Sequence, residues 1–157
     1  MELNILQWIF QTIPECLALA SLAVVLSGRG FEVKNIFLIS LPHAIAVYLV
    51  RLLPLSFGVH FIIFIVLLAV NLNLQLKIRF NRSLLTSLVA LIILAAAEIA
   101  LVTLMYSITD ITYEEARENL FLWIVYGWPH IIFLFLLAMA IGWWRKGRGV
   151  KPEEYDA

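Results

Sequence analysis

Five apolar runs, at about residues 3–27, 36–53, 59–76, 83–106 and 120–144, take up most of the 157-residue chain. Each approaches the roughly 20 residues a helix needs to cross the hydrocarbon layer of a bilayer. Only 14% of residues are charged, against about 25% in a soluble domain; the mean hydropathy is +0.97. Residues 61–70 are apolar on every side, which suits lipid or a fully buried helix. The chain therefore reads as an all-α, polytopic membrane protein in the cell membrane. A single five-span domain covers residues 1–146, and a short polar cytoplasmic tail covers 147–157.

Topology follows from where the lysines and arginines fall, since positive charge collects in cytoplasmic connections. Arg29, Lys34, Lys77, Arg79, Arg82, Arg145, Lys146, Arg148 and Lys151 border the first and third connections and the tail, whereas Arg51 and Arg117 border the second and fourth. Nine against two puts the N-terminus outside and the C-terminus inside. The outer fourth connection is acidic, with Asp110, Glu114, Glu115 and Glu118. A formal net charge of zero leaves no basic surface for nucleic acid. The N-terminal run lacks a basic flank and a small-residue cleavage site, so it reads as a retained span.

Local signals divide the spans. Ser27, Gly28 and Gly30 end the first, and Pro54 with Gly58 makes a tight outer turn. Consecutive spans are thus antiparallel neighbours in one bundle. Pro14 and Glu15 interrupt the first span, which reads either as one helix kinked at Pro14 or as an interfacial segment that turns inward; the kinked span is preferred. Thr112 and Glu115 have capping-box spacing. Trp143 and Trp144 beside Arg145 and Lys146 form an interfacial anchor. Asn71, Asn73 and Gln75 read as interfacial. Small residues at 16, 20, 23 and 27, at 96 and 100, and at 138 and 142 suit close helix packing. The single cysteine, Cys16, lies in an apolar run and reads as a packing residue.

Four spans carry an ionisable group deep in the run: Glu15, His43, Glu98 and His130. Such groups are costly to desolvate and usually face a partner, a cavity or the bundle interior. Counted from the outer end of each span, Glu98, His43, His130 and Glu15 lie at about 14, 15, 17 and 18 Å. That near coincidence predicts a common centre with a contact between a glutamate and a histidine. Tyr126 stands one turn from His130, and Pro129 frees a carbonyl one turn earlier. Gln11 and Trp128 are accessory candidates. Arg51 reads first as a headgroup-directed side chain, with an inward, anion-binding role as the alternative.

Three uses of this centre are open. Glu15, His43, Glu98 and His130 offer oxygen and imidazole ligands to a divalent cation, although no local ligand motif supports it. Protonation of the same groups suits proton relay or pH sensing. The plainest use is interhelical hydrogen bonding worth about 1 kcal/mol per contact. No phosphate loop, Cys-x-x-Cys, zinc-protease motif or nucleophile elbow is present, so no enzyme or cofactor is indicated.

Two segments carry a resemblance. Gln11, Thr12, Ile13, Pro14 and Glu15 followed by small apolar residues, and then Arg51, Leu52, Leu53 and Pro54 with Phe57 and Gly58, resemble the N-terminal membrane region of Gram-positive sensor histidine kinases of the accessory-gene-regulator and sporulation type. The resemblance covers the five spans and implies a bacterial inner-membrane sensor that receives an extracellular or intramembrane signal and passes it through the last span. The sequence departs from that family in having no kinase, phosphoacceptor or ATP-binding region. The resemblance then implies a stand-alone module with a membrane or cytoplasmic signalling partner, or part of a longer chain. The competing expectation is a small proton- or cation-linked transporter or channel subunit, with a homo-oligomer compatible with either.

Overall fold

The computed structural model describes residues 5–54 and 57–148. Among these residues the fold is all-α, with six helices: α1 (Ile5–Leu26), α2 (Val33–Arg51), α3 (Phe57–Leu76), α4 (Phe80–Thr109), α5 (Tyr113–Glu118) and α6 (Leu120–Gly147). All but the short α5 are long and apolar enough to cross a membrane. Helices satisfy this sequence in lipid because every backbone hydrogen bond closes within the segment.

α1 is the central element, packing against α2, α4 and α6, while α3 closes the bundle between α2 and α4. Small residues allow this close packing. Ala18, Ala20, Ala23, Val24 and Val25 are buried almost completely, and Leu22, Leu68, Leu72, Ile131, Leu134 and Ala138 pack around them. Leu, Ile, Val and Phe dominate the outward faces of α2, α3, α4 and α6. A lipid solvent accepts such a surface, whereas a water-facing one of this size would drive association.

Pro14 does not break α1. The turn before it, Trp8–Thr12, is π-helical, and the Ile13 amide donates to the Trp8 carbonyl five residues back. Pro14 has no N–H and would clash with the carbonyl four residues earlier; the wider turn removes that conflict. The chain at 1–4, residues 55 and 56 within the expected turn between Pro54 and Gly58, and the tail at 149–157 lie outside the described residues.

Two arginines close the basic end of the bundle. Arg29 Nη2 donates to the Leu76 carbonyl at 2.8 Å, and Arg145 Nη1 donates to the Val25 carbonyl at 2.6 Å. Both acceptors belong to the last turn of a helix, where carbonyls carry the negative end of the dipole and lack i+4 donors; the Val25 carbonyl also accepts from the Gly28 amide at 3.2 Å. Asn73 Nδ2 donates to the Ile78 carbonyl at 2.6 Å, and Asn71 Nδ2 reaches the Ile39 carbonyl of α2 at 3.3 Å. The two asparagines thus tie α3 to neighbouring backbone. Lys77 and Asp110 take left-handed conformations just past the ends of α3 and α4, where the chain must reverse.

At the opposite end, α5 starts with the expected capping box. Glu115 N–H donates to Thr112 Oγ1, and the Thr112 amide and hydroxyl both donate to Glu115 Oε2. Asn119 Oδ1 accepts from the amides of Phe121 and Leu122 and so caps α6.

Candidate functional site

A charged trio forms in the half of the bundle near the Arg51 end. Glu15 leaves α1 just after the π-helical turn, Glu98 leaves α4, and Arg51 is the last residue of α2. The guanidinium acts electrostatically on both carboxyl groups, and the two carboxyl groups act on each other. Arg51 also donates from Nη1 to Thr12 Oγ1 at 3.2 Å. It is thus turned toward α1 and not only toward headgroups, because a hydroxyl and two acidic groups lie on that side. Glu15 is half-buried, whereas Glu98 is exposed on the flank of α4.

Neither His43 nor His130 is hydrogen-bonded to a member of the trio, and the two stand at different levels. Contacts across the helices set their levels: Arg51 reaches Thr12, and Cys16 clusters with Val47, so His43 lies level with about Ala20. Gln11 lies against Gly127, so His130 lies level with about Pro14. Six residues of helix separate the two levels, roughly 9 Å. The Tyr106 ring stacks on Tyr126, which leaves Glu98 about one turn deeper than His130. Span ends give poor depth references because the helices start and stop at different heights.

Each histidine is enclosed. His43 is 1% exposed, and its Nδ1 has no hydrogen-bond partner. The adjoining Ala44 and nearby Val47 of the same helix pack with Cys16, Ile13 and Phe64; Cys16 is a buried member of that apolar cluster, as a packing residue should be. His130 is also 1% exposed, and neither ring nitrogen has a partner. No glutamate-to-histidine hydrogen bond occurs among the described residues. Among them, too, no group of three His, Cys, Asp or Glu side chains is placed to hold a metal ion, so Glu15, His43, Glu98 and His130 do not assemble a metal centre.

The accessory candidates separate by helix face. Tyr126 is buried, its hydroxyl pairs with Thr109 Oγ1, and its ring stacks on Tyr106 at a centroid distance of 5.1 Å. Gln11 packs so closely over Gly127 that a Cβ there would lie 2.4 Å from its Nε2. Trp128 points outward, 40% exposed, because it falls between the turns that place Tyr126, Gly127 and His130 inward.

Several participants were not legible in the sequence reading. Thr12 receives Arg51, and Thr109 receives Tyr126. His60, the fourth residue of α3, donates from Nε2 to the Val50 carbonyl at 3.2 Å and packs near Phe64. Tyr113 bridges Tyr106 and Trp123 edge-on, at 6.3 and 5.7 Å, extending an aromatic cluster beneath α5. The π-helical turn itself, which displaces Gln11 and Thr12, had no signal beyond the proline that follows it.

No protein-family model, no curated protein and no solved structure matches this chain.

Proposed function

We propose that this protein is a non-enzymatic integral membrane sensor or regulatory module. Its signal enters at the Arg51 end, and α6 carries the response toward a partner at the basic end. The observation that carries this reading is the pairing of a charged trio in one half of the bundle with a dry, close-packed other half. Glu15, Glu98 and Arg51 gather three ionisable groups, which are costly in a membrane helix bundle and mark a functional site by default. Beyond them, Leu19, Leu22, Ala23, Leu68, Leu72, Leu134 and Ala138 fill the interior. A permeation path would need a continuous line of polar groups through that layer; its buried Ser21 bonds back to the Leu17 carbonyl of its own helix and His43 adjoins an apolar cluster, which favours reception over transport.

α6 is the natural transmitter. It touches α1 and α4, which carry the two glutamates, and its far end is fastened to α1 through Arg145 and Val25. A change in the trio that moves α1 therefore moves the basic end of α6. The lysine and arginine distribution supports the Arg51 end facing outside and the basic end facing the cytoplasm.

Two measurements test the reading. Reconstituted liposomes should show no proton or cation flux, and co-purification from the native membrane should recover a partner bound through the basic end. Flux that depends on pH and is abolished by Glu98→Gln would establish the transport reading instead. Reporter fusions at each connection test the orientation, which should show the 54–58 turn outside.

A further inference from the structure

We propose that the seam between α1 and α6 is hydrated, with a short file of water entering from the Arg51 end and reaching His130 inside the bundle. Three residues on this seam hold buried polar atoms that no protein group satisfies: Trp123 Nε1, Gln11 Oε1, and both ring nitrogens of His130. Trp123, Gly127 and His130 follow one another at spacings of four and three, which places them on one face of α6. Gln11 of α1 lies against Gly127, which stands between Trp123 and His130 on that face. From Trp123 to His130 the helix rises about 10 Å, a distance that roughly three waters at hydrogen-bond spacing would bridge.

The order of chemical types identifies the occupant. An indole N–H only donates, a carbonyl oxygen only accepts, and a neutral imidazole does one of each. Water alone among common occupants serves all of them in sequence, and buried waters ordinarily take two to four such partners. A metal ion is excluded as the common occupant because an indole N–H offers it no lone pair.

His43 provides the contrast. Its Nδ1 is also without a partner, yet the cluster beside it is apolar, formed by Cys16, Ala44, Val47, Ile13 and Phe64. One isolated polar atom among apolar neighbours does not hold a water chain. The hydrated seam follows from the packing of α1 on α6 and stands independently of the sensor reading. Glu15 lies one turn beyond Gln11 along α1, so the seam would bring solvent close to the charged trio without opening the apolar half.

Nuclear magnetic resonance on the full chain, ¹⁵N-labelled in lipid nanodiscs, tests this directly. The half-buried Trp123 indole N–H should show a cross-peak to water, and the outward, lipid-facing Trp128 should not; Trp123→Phe assigns the signal. A Trp123 indole as isolated from water as Trp128 overturns the proposal. A second measurement is independent of assignment. His130→Phe keeps the ring and removes both nitrogens, so it should lower Tm if those nitrogens bond to water. An unchanged or raised Tm overturns the proposal, because replacing an unsatisfied imidazole in a dry seam is favourable.

Discussion

Arg145, near the end of α6, donates to the carbonyl oxygen of Val25, near the end of α1, at 2.6 Å. The contact joins residues 120 positions apart and adds a charged donor to a carbonyl at a helix end that also accepts from the Gly28 amide at 3.2 Å. Arg145→Leu should therefore destabilise the bundle by about 1–2 kcal/mol, the loss of one hydrogen bond from a charged donor while the Gly28 amide remains on the same carbonyl. Thermal unfolding in detergent checks this. Trp143→Leu, altering a residue 82% exposed next to the same turn, should leave Tm nearly unchanged.

Gly127 admits the Gln11 side chain. Gly127→Ala would place a methyl group 2.4 Å from Gln11 Nε2, and the amide must swing away. Overpacking of this kind costs about 1–3 kcal/mol. Gln11→Ala combined with Gly127→Ala should recover much of the loss, because the two positions are in contact and their effects do not add. A double-mutant cycle by thermal unfolding reads the coupling.

Removing Arg51 should harm the fold more than removing either acid. Arg51→Gln leaves the Glu15 and Glu98 carboxyl groups facing each other without a cation, whereas Glu98→Gln leaves a single acid with its arginine. The expected order of Tm is Glu98→Gln above Arg51→Gln, with Arg51→Gln and Glu98→Gln together recovering part of the difference. An equal loss in both single variants would mean that the three groups do not act as a unit.

Acid should fray α5 before anything else. Glu115 accepts from the Thr112 amide and hydroxyl, and these bonds hold its carboxyl below the usual carboxylate range. A depressed folded-state value means that the stabilisation is present at neutral pH and is lost as the pH falls through that value. Amide hydrogen exchange across residues 113–118 should accelerate below about pH 4, relative to its intrinsic rate. Thr112→Val should abolish much of that acid dependence.

What the sequence made legible was length and chemistry. The five apolar runs became five long helices because a stretch of that length has one economical way to satisfy its backbone in lipid. Thr112 and Glu115 were readable as a cap because the motif is local. Rotation and register were not readable. Glu15 and Glu98 do influence each other, but His43 and His130 sit at separate levels in the packing, since no local signal fixes how far one helix slides along another. Arg29 and Arg145 were legible as charge, while their hydrogen bonds to helix ends depend on the meeting of distant turns. His60 escaped notice because it lies at the mouth of its span, where an ionisable group is unremarkable.

The turn at Trp8–Thr12 stores slack in the helix that everything else packs around. A π-helical turn holds more backbone than the α-helical turn it replaces, and each residue passed into the regular ladder rotates the preceding segment by about 100°. Trp8 and Gln11 would then leave their present neighbours, Tyr48 and Gly127, while Cys16 and the alanines beyond it kept theirs. The first helix thus carries its wider turn just ahead of its acidic residue, and Trp8 and Gln11 owe their present neighbours to it.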